Sequence, residues 1–343
     1  MIKDKIWELL YRQWRLKNQE RISGYSALLM LPGDLPVFFK IALEVLARQQ
    51  KKHLMEVLII PDLLTKDLRL VEDRHVPRGF EVPLRWVKMR PLDRLVIRAW
   101  RNPGHIHWLQ HLRGIEASKT RYALVHDADL FITDDQFLKT HYEKCVDEKL
   151  ACLGISPVWD PWYAQQNINH LVATWELMLD VEWFRGFEPW KHRGHRGVFL
   201  EQQHIFDTTL LPQCLTSPHR IGKHENFQGF IHFNYVVSTY RWFQKTKYPF
   251  KDEHFRLLLI RLLMMAYQME EHPTDIPSHQ ILKKGLIDPT QPVTYYEVPE
   301  NNYVEFREKI HALVNSELLD DDQKDIIAKN IAPFDSAFGI RGV

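Results

Sequence analysis

The sequence predicts an α/β fold in which a mostly parallel β-sheet is flanked by helices. Short apolar runs fall at 26–34, 56–61, 83–89 and 122–125, and helical periodicity covers 35–50 and 105–118. Strands that alternate with helices usually pair in parallel, and the helices then cover both faces of the sheet. The second half of the chain is less regular, and it ends in a predicted helical elaboration.

Length and composition agree with a folded globular protein. The chain has 343 residues, of which 45% are hydrophobic and 26% are charged. These values exclude a mostly disordered chain, a collagen-like fibre and a coiled coil. There are 45 Lys and Arg residues against 44 Asp and Glu residues. This balance argues against a protein that binds nucleic acid through bulk charge, so no nucleic-acid partner is expected.

Cysteine usage and the N-terminus predict a cytoplasmic protein. The three cysteines form no Cys-x-x-Cys pair, which argues against a disulfide framework or a structural zinc site. The first 20 residues carry charges throughout and contain no apolar core of a signal peptide. The apolar stretch 257–269 is interrupted by Arg261 and is too short to span a bilayer, so it is interpreted as a buried helix. No transmembrane segment is expected.

The N-terminal segment 2–20 has helical periodicity, with several charges between the apolar positions. Three roles are open for this helix: packing against the domain, resting on a membrane surface, or forming a dimer contact. Peripheral contact with a membrane is therefore one of the partners considered.

Three regions are predicted along the chain. They are an N-terminal helix at 1–22, a catalytic domain at 23–250 and a C-terminal region at 251–343. The catalytic domain divides into a nucleotide-binding half at 23–140 and an acceptor half at 141–250. The C-terminal region is expected to contain a helix at 252–272, an extended strap at 273–302 and one or two amphipathic helices at 303–330.

Four aspartates follow the predicted strands at their carboxyl ends. Asp34 follows the first strand, Asp62 follows the second, and Asp127 and Asp129 follow the fourth. In open parallel sheets, ligands bind in the crevice at the carboxyl ends of the strands. The sequence therefore predicts an acidic rim where a ligand binds.

The strongest local motif lies at 121–132, RYALVHDADLFI, where an apolar strand leads into Asp127-Ala128-Asp129. Two aspartates in this spacing at a strand end can both reach one divalent cation, and carboxylate oxygens suit Mg²⁺ or Mn²⁺. The alternative is a turn or helix cap, in which aspartate is also common. The apolar flanks favour a metal site.

The segments 26–49, 56–62 and 114–132 resemble the GT-A-type glycosyltransferases, a Rossmann-like fold that uses nucleotide-diphosphate sugars. Within the third segment the resemblance to glycosyltransferase family 2 rests on Gly114, Ile115, Ala117, Tyr122, Asp127 and Asp129. The sequence departs from the family pattern after the second strand, where Asp62 is followed by two leucines.

The resemblance implies a metal-dependent transferase that moves a sugar from a nucleotide-diphosphate donor, with UDP favoured, to an unknown acceptor. A divalent cation, Mn²⁺ or Mg²⁺, is the implied cofactor. Asp129 would bind this cation directly, Asp127 would bind the ribose or a metal-bound water, and His232 would complete the metal site. Asp62 would hold the nucleoside, with Pro32 and Asp34 beside it on the donor side.

The resemblance also implies a general base at the start of a helix that follows a glycine loop. Glu201 is the first candidate for this base, and Asp207 is the reserve; an inverting reaction is expected. A solvent-exposed helical position is the alternative for Glu201, and a hydrogen-bonded core position is the alternative for His232.

Two further groups are candidates for substrate binding. Arg193 and Arg196 lie in the basic segment 191–197 and are predicted to clamp the diphosphate, although a solvated loop is the alternative. The acceptor wall is predicted to contain Trp159, Trp162 and Tyr163, because sugar rings present C–H faces that pack on aromatic rings. Ordinary core packing is the alternative for each of them.

Two other functions remain open at this point. One is a nucleotidyltransferase of the same topology, although the segment 31–36 lacks the cation that such enzymes usually carry after the first strand. The other is a catalytically inactive GT-A-like domain that serves as a binding or scaffold protein.

Overall fold

The computed structural model describes residues 2–14, 20–62, 76–77, 79–100, 102–224, 227–248 and 254–340. The helices are α1 (Ile2–Leu10), α2 (Pro36–Arg48), α3 (Pro91–Trp100), α4 (Pro103–Ala117), α5 (Phe137–Asp147), α6 (Pro161–Gln165), α7 (Val181–Arg185), α8 (Leu210–Cys214), α9 (Val236–Thr246), α10 (His254–Ala266), α11 (His279–Lys284), α12 (Glu300–Val314) and α13 (Asp321–Ala337). Short 3₁₀ helices span Pro189–His192 and Pro218–Arg220.

The strands of the described residues form one large sheet and two small ones. They are β1 (Ile22–Leu31), β2 (Leu54–Pro61), β3 (Leu84–Trp86), β4 (Thr120–Asp127), β5 (Leu130–Ile132), β6 (Cys152–Gly154), β7 (Leu177–Asp180), β8 (His195–Phe199), β9 (Gln202–Phe206), β10 (Ile221–Lys223) and β11 (Phe230–His232). The large sheet has the order β10-β6-β7-β4-β1-β2-β3. Strand β7 is antiparallel to β4 and β6, and the other neighbouring pairs are parallel. The predicted mostly parallel α/β fold is confirmed.

The central strand β1 is apolar without interruption from Ala27 to Leu31 because both of its faces are covered. Leu29 belongs to the core on the side of α2, whereas Leu28 belongs to the core on the side of α4. Helix α4 comes very close to the sheet, because a Cβ atom at Gly114 would lie 2.6 Å from Ile60 Cδ1. Gly114, one of the residues on which the sequence resemblance rests, is therefore required for the close packing of α4 on the sheet.

The N-terminal helix packs against the domain. It ends at Leu10, earlier than predicted, and positions 15–19 of the predicted helix lie outside the described residues. Trp7 and Tyr11 are buried, and the Tyr11 hydroxyl donates a hydrogen bond to Asp93 Oδ1 at 2.8 Å. These contacts support the packing role among the three that the sequence left open.

The C-terminal helices complete the core on the α2 side of the sheet. The predicted buried helix is α10, and Arg261 within it donates hydrogen bonds to the carbonyl oxygens of Ile276 and Pro277. The guanidinium is thereby paired inside an apolar helix. The predicted strap at 273–302 contains α11 and the start of α12, and the final amphipathic helices are α12 and α13. Within the described residues, every helix is too short or too polar to cross a membrane.

Candidate active site

A cleft of 600 Å³ opens at the carboxyl ends of β1, β2 and β4. Three of the four predicted rim aspartates line it, namely Asp62, Asp127 and Asp129. Pro32 also lines the cleft, whereas Asp34 is not among the described lining residues. The topology therefore brings residues that are distant in sequence to one edge of the sheet, as the strand-end pattern predicts.

Asp127, Asp129 and His232 form a compact group at this cleft. Each offers one ligand atom, and these atoms lie within 4.8 Å of one another. The antiparallel pairing of β11 with β5 sets His232 opposite Leu130, which follows the Asp-x-Asp motif directly. His232 Nε2 then lies 3.7 Å from Asp129 Oδ1.

The chemistry of this group fits a divalent cation. Two carboxylates supply the hard oxygen ligands that Mg²⁺ and Mn²⁺ prefer, and the imidazole is a softer ligand that favours Mn²⁺ of the two. Asp129 is fixed by the backbone N–H of Val236, which donates to its Oδ2 at 2.8 Å. Asp127 Oδ1 lies 3.0 Å from His107 Nε2. The carboxylate of Asp127 outweighs the effect of burial on His107 and raises the pKa of this imidazole.

A buried pair lies directly behind the metal group. His126 Nδ1 is 2.6 Å from Glu176 Oε2, and both side chains are almost fully buried. Glu176 has a φ of 50°, a left-handed conformation that is unusual for a residue other than glycine. Its neighbour Trp175 places its ring 4.3 Å from the ring of His232. Glu176 therefore contacts the residue before Asp127, and its sequence neighbour Trp175 packs on the third candidate ligand.

An arginine that sequence reasoning missed organises the donor side of the cleft. Arg241 of α9 donates two hydrogen bonds to Asp62 Oδ2, at 2.6 and 3.0 Å. The same guanidinium contacts both oxygens of Asp34, at 2.7 and 2.8 Å. The backbone N–H of Gly33 donates to the other oxygen of Asp62 at 2.7 Å. Asp34 and Asp62 therefore bind Arg241, and Arg241 itself lines the cleft.

The reserve candidate for the base, Asp207, lies in the cleft, and the first candidate does not. Glu201 is exposed at the tip of the β8–β9 hairpin with a φ of 62°, and it is not among the described lining residues. The expectation that Glu201 starts a helix is wrong, because the glycine-containing segment before it forms a strand. Asp207 is the acidic residue that precedes a helix, since its carbonyl oxygen accepts from the N–H of Leu210 at the start of α8.

The environment of Asp207 suits a base. The Asp207 carboxylate lines the same cleft as the candidate metal ligands. It interacts electrostatically with His107 and Asp127. Desolvation by the surrounding protein raises the pKa of Asp207 above the usual aspartate range. A carboxylate with a raised pKa is a stronger proton acceptor than an ordinary one.

The two arginines of the basic segment lie in different places, and neither contacts the metal group. Arg193 is buried, with its Nη1 3.2 Å from His105 Nε2 and its guanidinium over the ring of Trp7. These contacts contribute to the packing of α1. Arg196 is exposed on β8 and lines a second cavity.

The three predicted acceptor aromatics have three different environments. Trp159 is 62% exposed and lines the cleft. Trp162 stacks on the imidazole of His204, with ring centroids 3.8 Å apart. Tyr163 is almost fully buried and belongs to the core, where it packs near Phe206. Only Trp159 among these three lies on the cleft surface.

Other cleft residues escaped sequence reasoning because the fold alone brings them together. Trp175 lies outside any motif. Asn234 and Tyr235 both adopt left-handed backbone conformations, with φ of 53° and 58°, between His232 and α9. Asn234, two residues after the predicted histidine ligand, was the available signal, since asparagine is enriched in this conformation.

No family model matches this sequence, and no curated protein matches it. Among solved structures, the chain is similar to the mannosyltransferase PcManGT from Pyrobaculum calidifontis in complex with GDP-Man and Mn²⁺, at 11% identity and a TM-score of 0.42, over 99% of this chain and 89% of that chain. It is also similar to S. aureus TarS 1–349 in complex with UDP, at 12% identity and a TM-score of 0.39, over 92% and 89%.

A third similar structure is the galactosyltransferase LgtC in complex with donor and acceptor sugar analogues, at 10% identity and a TM-score of 0.38. This alignment covers 49% of the present chain and 62% of LgtC, so it spans less than two thirds of that enzyme. The function proposed below therefore rests on the residues of the cleft itself.

Proposed function

We propose that this protein is a metal-dependent glycosyltransferase that uses a nucleotide-diphosphate sugar. The observation that carries the proposal is the meeting of both aspartates of the Asp-x-Asp motif with His232 inside a 600 Å³ cleft at the strand ends. A cleft of this size accommodates a ligand of the size of a nucleotide. The sequence resemblance to GT-A enzymes supports the same reaction class.

Two parts of the cleft have separate tasks in this proposal. The side that contains Pro32, Asp62 and Arg241 receives the nucleoside and its ribose. Asp127, Asp129 and His232 would hold the cation, which when bound neutralises charge on the diphosphate. UDP is the donor nucleotide that the resemblance favours.

The reaction that this arrangement supports is an inverting transfer with Asp207 as general base. The acceptor hydroxyl loses its proton to the Asp207 carboxylate as its oxygen forms a bond to the anomeric carbon. The bond between that carbon and the diphosphate oxygen breaks, and its electron pair leaves with the nucleoside diphosphate. The sugar thereby changes its anomeric configuration.

The proposal is tested by thermal shift of the purified protein with UDP, GDP, CDP and dTDP, each with and without Mn²⁺ or Mg²⁺. A ligand that binds the native state raises the temperature of the unfolding midpoint. At a hundredfold excess over its Kd, such a ligand adds about 2.7 kcal/mol to the free energy of unfolding. We expect one nucleotide to give a shift that requires the cation.

Asp129→Asn keeps the shape of the side chain and removes its charge, so it should abolish the cation-dependent part of the shift. Asp325→Asn, at an exposed position in α13, is the matched control and should behave as wild type. A wild-type protein with no shift for any nucleotide would contradict the proposal and favour an inactive binding domain of the same fold.

A further inference from the structure

A second cavity of 840 Å³ adjoins the cleft on the side of the β8–β9 hairpin. It shares Trp159, Asp207 and Tyr235 with the cleft, whereas the three candidate metal ligands line the cleft alone. Asp207 therefore stands at the junction of the two spaces. A molecule in the second cavity would present a group to Asp207 from the side opposite the candidate donor site.

The shared aromatic side chains suit a sugar ring. Trp159 is 62% exposed and Tyr235 is 50% exposed, although both have large apolar surfaces. Aromatic rings with one open face are energetically better covered by a ligand than left in water. The C–H faces of a sugar ring can cover such an aromatic surface, and its hydroxyl groups stay available for hydrogen bonds.

The wall of the second cavity is rigid. His204 stacks on Trp162 in nearly parallel orientation, at an angle of 9°, and its Nε2 lies 2.9 Å from Asp160 Oδ2. Asp160 also caps α6 by accepting a hydrogen bond from the N–H of Trp162 at 2.9 Å. The negative charge of Asp160 is therefore already engaged by the protein.

The second cavity is lined by the carboxylates of Asp160 and Asp207 and by the guanidinium of Arg196, which is its permanent positive charge among the described lining residues. Among the described residues that line this cavity, Arg196 is the one arginine. It forms no ion pair with any other residue that the structure describes. A guanidinium binds carboxylate and phosphate groups through two parallel hydrogen bonds. An anionic substituent on a ligand in this cavity would give Arg196 the ion-pair partner that the described residues do not supply.

We propose that the second cavity is the acceptor subsite and that it selects a saccharide with an anionic substituent, phosphate or carboxylate. The ring packs on Trp159, the anion binds Arg196, and a hydroxyl of the same molecule reaches Asp207. This inference rests on the proposed transfer reaction. It adds the chemical class of the acceptor.

The test compares three probes that share one ring: glucose, glucose 6-phosphate and glucuronic acid. Their affinities are measured by titration calorimetry, with and without UDP and Mn²⁺. We expect both anionic probes to bind at least tenfold more tightly than glucose, which corresponds to about 1.4 kcal/mol for a charge-assisted contact. Whichever anionic probe binds more tightly identifies phosphate or carboxylate as the preferred group.

Two variants test which residues cause the preference for anionic probes. Arg196→Gln should bring the anionic probes to the affinity of glucose, and Trp159→Ala should weaken all three probes by a similar factor. Arg94→Gln, an exposed arginine on α3, is the control for a general change in surface charge and should keep the wild-type preference. Equal affinities of glucose and the anionic probes, or an anion preference that survives Arg196→Gln, would overturn the inference.

The nucleotide measurement separates the two proposals. Arg196→Gln should leave the cation-dependent thermal shift with nucleotide unchanged, because Arg196 does not line the donor cleft. If the protein binds nucleotide with the cation but shows no anion preference, the transferase proposal stands and the proposed acceptor class is wrong. If it shows the anion preference but binds no nucleotide, the transferase proposal is wrong.

Discussion

At the scale of single residues, the site depends on a few carboxylates with different partners. Asp34 and Asp62 share the guanidinium of Arg241, whereas Asp129 accepts a backbone N–H. Asp207 accepts a hydrogen bond from the backbone N–H of Thr208, has no cationic partner at hydrogen-bond distance among the described residues, and has a pKa that desolvation raises. In the proposed reaction, the carboxylates in and around the cleft would thereby be divided between structure, cation binding and proton transfer.

The raised pKa of Asp207 gives a prediction for the pH dependence of transfer. The base acts as a carboxylate, so activity should be lost as pH falls through its pKa, and this limb should lie above the ordinary aspartate value of 3.8. Removing a general base typically lowers the rate by about 10²–10⁴-fold. Asp207→Asn should therefore lower kcat/KM by this factor and remove the acidic limb of the pH profile. The measurement is donor turnover between about pH 4 and about pH 9.

Glu201→Gln is the matched control, because Glu201 is the acidic residue at the tip of the neighbouring hairpin. This variant should keep both the rate and the pH profile. A large loss of rate in Glu201→Gln, together with a near-normal Asp207→Asn, would reassign the base to the hairpin.

At the scale of elements, helix α4 fixes the sheet from which the cleft opens. Its Gln110 donates hydrogen bonds to the carbonyl oxygens of Leu31 and Ile60, where β1 and β2 end. Its Gly114 allows the helix to lie almost in contact with Leu28 and Ile60. The strand ends therefore keep their positions through both a polar contact and a close apolar one.

Gly114→Ala tests this close packing. The new methyl group would lie 2.6 Å from Ile60 Cδ1 and 2.8 Å from Leu28 Cδ1, so the helix or the sheet must move. Overpacking of this kind costs about 1–3 kcal/mol, which should exceed the helix propensity gained by alanine, about 1 kcal/mol. The free energy of unfolding should fall, as measured by urea denaturation.

Gly104→Ala is the control within the same helix, since its added Cβ would lie an ordinary 3.4 Å from Asn102 Oδ1. It should leave the urea midpoint unchanged or raise it slightly. A stabilised Gly114→Ala variant would show that the helix can move away from the sheet without cost.

At the scale of the whole molecule, the C-terminal helices belong to the same core as the sheet. Residues of β1, α2, α10, α12 and α13 form one continuous buried cluster. Tyr303 of α12 and Arg307 both hydrogen-bond to Asp335 of α13, which ties the last two helices to each other. The described part of the predicted C-terminal region, residues 254–340, is therefore packed on the sheet as a part of its core.

Deletion of residues 300–343 tests this continuity. The deletion keeps every residue assigned to the two cavities, yet it uncovers the apolar surface of α10 and α2. Exposed apolar patches of this kind lead to aggregation or loss of the cooperative transition. We expect the shortened chain to lose its sharp thermal transition by circular dichroism. A soluble monomer that melts like the full chain would show that this region is dispensable for the fold.

The fold and the centre of the site could be predicted from the sequence, because both depend on local patterns. The alternation of strands and helices and the Asp127-Ala128-Asp129 motif are contiguous in the chain. The sequence favours Glu201 as the base because glycines before an acidic residue suggest a loop followed by a helix. In the structure, Gly194 and Gly197 instead lie before and within a β-hairpin. Arg241 was missed because its pairing with Asp34 and Asp62 depends on where α9 packs, and no local pattern encodes that.

The pairing of Arg241 with Asp34 and Asp62 also has a consequence for the order in which the protein matures. Synthesis proceeds from the N-terminus, so both aspartates leave the ribosome well before the arginine that neutralises them. Until α9 is made, the ends of β1 and β2 carry two uncompensated negative charges that repel one another and any diphosphate. If the proposed function is correct, the nascent chain would bind a donor nucleotide only after the segment that carries Arg241 has docked.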